Sequence, residues 1–216
     1  MADVNGGEWG MGNGESFLGA ILAGGASRRF GAPKALAEVG GRRIVERVRD
    51  ALLEAGAEVV VIANDASLFA DLGVERRADD VAGVGPLAGI VAAVRWAAER
   101  GGAGALCVAC DIPFLPAALL RRIAEGARPT IVVPESRGRR GVEPLCAWYP
   151  AECLAAVERM IAEGSWALHP LLERFPAERV PLAEVERFGD PEILFLNVNT
   201  PADHELAQRI AADVPA

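Results

Sequence analysis

Apolar runs and amphipathic stretches alternate along this chain, each with its own period. Residues 17–22 (FLGAIL), 58–63 (EVVVIA), 105–110 (ALCVAC) and 130–134 (TIVVP) are nearly unbroken apolar runs. A strand reads this way when both faces of its sheet are covered. Residues 142–149 and 192–196 read as further strands, and residues 35–39 as a short extended piece before Gly40-Gly41. Between them the period changes to that of a helix. Residues 43–55 place Ile44, Val48, Leu52 and Ala55 on one stripe, and Gly56 follows as a stop signal. Gly85-Pro86 opens a helix to Arg100 with Leu87, Ile90, Val91, Val94 and Ala98 inward. Further helices are predicted from Leu115-Pro116 to about residue 126, over 150–163 and over 201–211, with shorter pieces at 67–72 and 169–174. This alternation predicts an α/β fold, a three-layer α/β/α sandwich around a mostly parallel, Rossmann-like sheet.

There is no internal repeat and no Pro/Ser-rich linker, so residues 17–216 are expected to form a single domain. Residues 1–16 (MADVNGGEWGMGNGES) are Gly-rich and acidic and read as a disordered tail, in which only Trp9 and Met11 are suited to docking. They lack the basic end and apolar centre of a secretion signal, and no apolar run approaches the length of a membrane span. The expected location is therefore the cytoplasm, with no membrane partner, and Cys107, Cys110, Cys146 and Cys153 are expected as reduced thiols. Cys107 and Cys110 form a CxxC, but residues three apart on a strand point to opposite faces, which argues against a metal site. The net charge of −8 argues against a nucleic-acid partner.

Candidate chemistry begins at residues 21–34, ILAGGASRRFGAPK. A strand opening into a loop with Gly24, Gly25 and Gly31, then Arg28, Arg29 and Lys34, suits polyphosphate. Glycines let backbone N–H groups come close to an anion, Arg offers forked donors and Lys a mobile point charge. Neither the P-loop nor the G-x-G-x-x-G fingerprint is present. With Arg42, Arg43 and Arg47 nearby, this segment would supply local positive potential in an acidic chain.

Ligands of open α/β sheets bind at the carboxyl ends of the strands. Four polar sites fall there: the Gly-rich loop, Asn64-Asp65, Asp111, and Asn197 with Asn199 after the 192–196 run. Asp111 suits Mg²⁺, which takes one or two carboxylates with phosphates and waters, although a helix cap is the other reading. Asp79 or Asp80, ahead of Gly85–Gly89, would accept hydrogen bonds from a base or ribose, or be a solvated loop. Asn199-Thr200-Pro201 is also a good helix start; Asn197 is not needed for that. His169 and His204 have no metal-ligand spacing and read as surface or helix-end residues.

Taken together, LAGGASRRFGAPKAL, GPLAGI, CDIPF, GVEPLCAWY and FLNVNTPAD, in this order over residues 19–206, resemble the molybdenum cofactor guanylyltransferases, a nucleotidyltransferase family. The resemblance implies transfer of GMP from GTP to the phosphate of molybdopterin cofactor, releasing pyrophosphate, with Mg²⁺ as cofactor. It implies that Leu22, Ala23, Gly24 and Gly25 meet GTP and that Lys34 meets its phosphates with Arg28 or Arg29. Asn64, Asp79 and Gly85 would line the nucleoside, with Asp79 preferred over Asp80. Asp111 would hold Mg²⁺ and nucleotide, and Asn197 and Asn199 would lie near the pterin phosphate or the metal. It also implies transient contact with proteins that deliver the cofactor or receive it. The chain departs from some relatives by one residue fewer between the double Gly and Lys34, and by Glu143 in place of His. The alternatives are the cytidylyltransferase relatives, which typically read Leu-Ala-Ala-Gly at the first loop, and a non-catalytic molybdopterin carrier on the same fold.

Overall fold

Leu18 and Ala20 point to one side of the first strand, β1 (Phe17–Leu22), and Ile21 points to the other; both sides are buried. The same alternation runs through the sheet and makes two cores, one on each face, as the apolar runs require. In the computed structural model, residues 17–24, 34–78, 85–125 and 129–213 are described. The tail, residues 1–16, lies outside them.

After β1 come a small hairpin of β2 (Glu38–Val39) and β3 (Arg42–Arg43), then α1 (Ile44–Glu54), β4 (Ala57–Ile62), β5 (Glu75–Arg77), α2 (Pro86–Glu99), β6 (Gly104–Ala109), α3 (Ala117–Ala124), β7 (Ile131–Pro134), β8 (Cys146–Pro150), α4 (Leu154–Ala162), α5 (His169–Arg174), β9 (Ala177–Val180), α6 (Leu182–Val185), α7 (Pro191–Leu194) and α8 (Pro201–Asp213). Among the described residues, seven strands form one sheet in the order β5-β4-β1-β6-β8-β7-β9. All run parallel except β8, which is antiparallel to both β6 and β7. On one face α1, α3 and Ala207 of α8 bury Ile21, Val59, Val61, Leu106, Val108 and Trp148. On the other, α2, α4 and α5 bury Leu18, Val60, Ile62, Cys107 and Tyr149. The expected mostly parallel, three-layer sandwich is thus the observed fold. Cys107 and Cys110 belong to opposite faces, as the strand period requires.

Several segments differ from the sequence reading. Residues 192–196 are not a strand. Asp190 accepts a hydrogen bond from the Glu192 N–H at 3.0 Å, Pro191 takes the first helical position, and the apolar run becomes the helical turn α7. A cap followed by Pro is a local helix start that outweighs a short apolar run. The segment expected to be extended over 35–39 opens as a 3-10 turn, Lys34–Leu36, before β2. β5 and β9 are edge strands, and the charged sequences ERR and AERV hide them from a search for apolar runs. Among the described residues, no helix is long and apolar enough to cross a membrane.

Candidate active site

The basic segment after the Gly-rich loop is already engaged in holding the fold. Arg42 pairs with Asp50. Arg43 binds Glu46 at 2.9 Å and Asp71 at 2.8 Å. Arg47 donates from Nε to the Val39 carbonyl at 2.7 Å. These three arginines therefore fix the β2–β3 hairpin and α1, and the charges of Arg42 and Arg43 are offset by carboxylates. Gly25, Arg28 and Arg29 lie outside the described residues, as do Asp79 and Asp80; Lys34 is placed by its backbone at the start of the 3-10 turn.

The polar positions at the strand ends come together as the topology demands. β1 lies between β4 and β6, so Leu22, Ala23 and Gly24 leave the sheet between Asn64 and Asp111. Their backbone is partly engaged already. The Ala23 N–H donates to the Ile62 carbonyl at 2.8 Å, and the Leu22 carbonyl accepts from the Cys110 N–H at 3.2 Å. Asn64 is exposed just past β4. Its neighbour Asp65 caps the following 3-10 turn, accepting from the Ser67 N–H at 3.1 Å. Gly85 begins α2 with φ of 65°, a left-handed conformation that favours glycine, and Pro86 follows at the first helical position. Gly89 serves packing: a Cβ there would lie 3.2 Å from Leu22 Cδ2, so the glycine lets α2 settle onto β1.

Asp111 sits two residues beyond β6, half-buried, and is bound from both directions by residues 197–198. The Val198 N–H donates to the Asp111 carbonyl at 2.9 Å. With its amide nitrogen turned toward the carboxylate, Asn197 donates to the two oxygens at 2.7 and 2.9 Å. The segment 195–199 therefore reaches the same rim without being a strand. Thr200 and Asp203 start α8 with reciprocal hydrogen bonds, 2.8 Å from the Thr200 N–H to Asp203 and 3.2 Å from the Asp203 N–H to the Thr200 hydroxyl. Thr200, not Asn199, is thus the side-chain cap, and Asn199 stands exposed beside Asn197. His204 binds the Glu38 carbonyl at 2.6 Å and His169 starts α5, both structural positions.

Glu143 lies within electrostatic reach of Asp111 in the segment before β8, and sequence reasoning noted it only as a departure from relatives. Val108 pairs with Cys146, and the Ala109 N–H donates to the Leu145 carbonyl at 2.8 Å. The Cys146 N–H then closes a turn onto the Glu143 carbonyl at 3.1 Å, ahead of the strand. Burial pushes the Glu143 carboxyl up to about 7, the facing Asp111 charge pushes the same way, and a hydrogen bond from the Leu145 N–H opposes both. The ordinary value is 4.5, so through this window the folded protein holds the proton more tightly than the unfolded chain. Stability contributed by the neutral carboxyl is then present below the ordinary value and lost as pH rises through the folded one. Glu143→Gln, with divalent ions chelated, is expected to be more stable than the parent by about 1–2 kcal/mol at pH 8, after allowing for partial solvent screening, with the difference fading near pH 4. Urea unfolding at both pH values checks this; a difference that does not vary with pH contradicts it.

The chemistry of the donors suits a hard divalent ion. Asp111 offers carboxylate oxygens at an open sheet rim, oriented by the Asn197 amide, and Mg²⁺-type ions select oxygen ligands. A Rossmann-like sheet with this acidic position beyond β6 is the arrangement of a nucleotide-handling enzyme, and its family makes it a nucleotidyltransferase. Residues 19–178 match the model of the MobA-like NTP transferase domain, and the chain belongs to that family. A Pelotomaculum thermopropionicum protein named "Probable molybdenum cofactor guanylyltransferase" is 37% identical over 188 residues, 86% of this chain and 88% of that protein. The molybdenum cofactor guanylyltransferase of Desulfosudis oleivorans is 33% identical over 198 residues, 90% of this chain and 95% of that one. Among solved structures, molybdopterin-guanine dinucleotide biosynthesis protein A from Archaeoglobus fulgidus superposes with a TM-score of 0.73 at 28% identity, covering 92% of this chain and all of that one.

Proposed function

We propose that this nucleotidyltransferase transfers GMP from GTP to the terminal phosphate of molybdopterin cofactor. The observation that carries the reading is the Asn197 amide on both oxygens of Asp111 at the end of β6, in a chain whose relatives bear the guanylyltransferase name. A phosphate oxygen of the pterin attacks the α-phosphorus of GTP. The bond from that phosphorus to the bridging oxygen breaks, and pyrophosphate leaves. The attacking oxygen is already ionised at neutral pH, so the protein needs no general base and its task is positioning and charge neutralisation. Asp111 is the residue that would hold Mg²⁺, with Asn197 orienting its carboxylate, and the ion when bound would neutralise charge developing on the phosphates. Because the Ala23 N–H and the Leu22 carbonyl are engaged within the sheet, nucleotide contacts on this edge fall to the Ala23 carbonyl and Gly24. Lys34 with Arg28 or Arg29 would meet the phosphates, Asn64, Asp79 and Gly85 the nucleoside, and Asn199 the pterin side. The chain is proposed to work in the cytoplasm and to meet the proteins that deliver or accept the cofactor only transiently.

The test is a panel of the four NTPs with Mg²⁺ and molybdopterin cofactor, followed by separation of the dinucleotide products. GTP is expected to be preferred over CTP by roughly a hundredfold or more, because a site that hydrogen-bonds one base leaves buried polar groups unpaired with another. Predominantly cytosine product would reassign the chain to the cytidylyltransferases. Binding of cofactor without pyrophosphate release would make it a carrier.

A further inference from the structure

We propose that Trp166, Arg139 and Arg140 receive the pterin substrate, the indole stacking on its ring system and the two guanidinium groups taking its phosphate; the inference rests on the guanylyl-transfer reading above. Under that reading the nucleotide lies over β1 and β4, beside Gly24, Asn64 and Gly85. The acceptor then has the rim on the other side of Asp111 open to it, where the sheet continues as β8, β7 and β9. Two connections stand over that rim. Residues 135–145 join the end of β7 to the start of β8, and residues 163–168 join α4 to α5. β8 descends from the rim and α4 climbs back toward it. Arg95 of α2 pairs with Glu158 of α4 at 2.7 Å, and Val91, one turn nearer the start of α2, shares a groove with Ile161 and Ala162.

Both connections are braced, and each leaves unused chemistry in solvent. In the first, the Ser136 N–H donates to the Gly141 carbonyl at 3.0 Å and the Gly141 N–H to the Gly138 carbonyl at 2.9 Å. Arg137 is tied to Glu186 at 2.8 Å. Arg139 and Arg140 stand exposed at the tip, and neither forms an ion pair among the described residues. In a chain of net charge −8, adjacent arginines left without a carboxylate make a local positive patch. In the second connection, Gly164 closes α4 with φ of 71°, the Ser165 N–H donates to the Met160 carbonyl at 2.9 Å, and Leu168 is buried. Trp166 lies between these anchors and is 53% exposed, whereas Trp96 and Trp148 are buried. Its ring is held in water by a fixed backbone, so packing within the fold does not account for it. The two connections come near each other: burial, and then the Arg140 charge, hold the imidazole of His169, three residues past Trp166, below its ordinary value. A flat heterocycle carrying a phosphate calls for an aromatic face and forked donors, and these are what this side of the rim presents.

The experiment uses the full chain. Molybdopterin cofactor retained on rapid ultrafiltration without nucleotide gives its affinity, and pyrophosphate release gives KM for cofactor and for GTP. Trp166→Ala and the double variant Arg139→Ala with Arg140→Ala are each expected to weaken cofactor affinity and raise its KM about tenfold. KM for GTP and the melting temperature should stay at the parent's values. Trp166→Phe, which keeps a stacking ring, should recover most of the cofactor affinity. Arg139→Gln with Arg140→Gln decides the second half if the alanine pair does not fold. Cofactor affinity equal to the parent's in either folded variant overturns the proposal and leaves the guanylyl-transfer reading standing, and an equal rise in KM for GTP overturns it as a general disturbance. A parent chain that makes no dinucleotide from any NTP fells that reading, and this proposal with it.

Discussion

Asp111→Asn is expected to lower turnover on the order of a thousandfold or more while the protein stays folded. The amide matches the carboxylate in shape, so the Val198 N–H bond to the residue 111 carbonyl is retained and the rim keeps its course. What changes is charge and acceptor count. Asn197 now has one oxygen to donate to where it had two, and a divalent ion loses its principal anionic ligand. Loss of a metal–phosphate contact acts on the transition state, where charge is moving between oxygens, so the fall should appear in kcat with GTP and cofactor saturating. The checks are steady-state pyrophosphate release and a circular dichroism melt on the same preparation. A folded Asp111→Asn protein of near-normal activity would remove Asp111 from the metal site.

The layers of this fold were legible because both faces of its central strands are buried. FLGAIL, AEVVVI and GALCVA are covered on two sides, so apolar content alone marks them, and the helices between them show their stripes plainly. Legibility failed where burial is one-sided or absent. ERR at one edge of the sheet and AERV at the other carry charges outward, as edge strands do to resist mispairing. The antiparallel course of β8 was not legible either, because direction depends on partners and not on composition. It is a consequential miss: only an antiparallel β8 starts beside Val108, at the end of β6 that leads to Asp111.

The candidate site divides in the same way. Asp111 was legible from its position just after an apolar strand, and Asn197 because helix capping had no use for it. The partnership between them was not legible, since 85 residues lie between positions 111 and 197 and the return of the last segment across the rim joins them. The arginines misled for the opposite reason. Arg42, Arg43 and Arg47 count as local positive potential in a list of charges, yet Asp50, Glu46 and Asp71 stand within reach of the first two and offset them, and the Val39 carbonyl holds the third in the fold. Positive charge near a Gly-rich loop points to phosphate only after such neighbours have been counted.

Gly104→Ala should give the reverse pattern, a damaged fold with an unaltered site. Gly104 opens β6 and pairs with Pro150 at the far end of the strand from Asp111. A Cβ at this position would lie 2.3 Å from the Tyr149 carbonyl oxygen, 2.7 Å from the Pro150 Cα and 2.9 Å from the Trp148 ring. The two nearest atoms are backbone of the neighbouring strand, so no rotamer change relieves the contact. β6 must separate from β8 in the interior of the seven-stranded sheet, disturbing the packing of Trp148 and Tyr149 on both faces. Overpacking against a backbone that cannot yield is expected to cost about 3 kcal/mol or more. That is a large share of the stability of an ordinary domain and corresponds to a fall in melting temperature of roughly 10 °C. Turnover at low temperature, where the variant is still native, should remain close to the parent's, because Asp111, Asn197 and Glu143 sit at the opposite end of the strand. Thermal unfolding followed by circular dichroism, with initial rates taken well below the transition, tests both halves. A melting temperature within about 2 °C of the parent's would mean that β6 and β8 separate at little cost and that the contact at Gly104 does not hold the sheet's register.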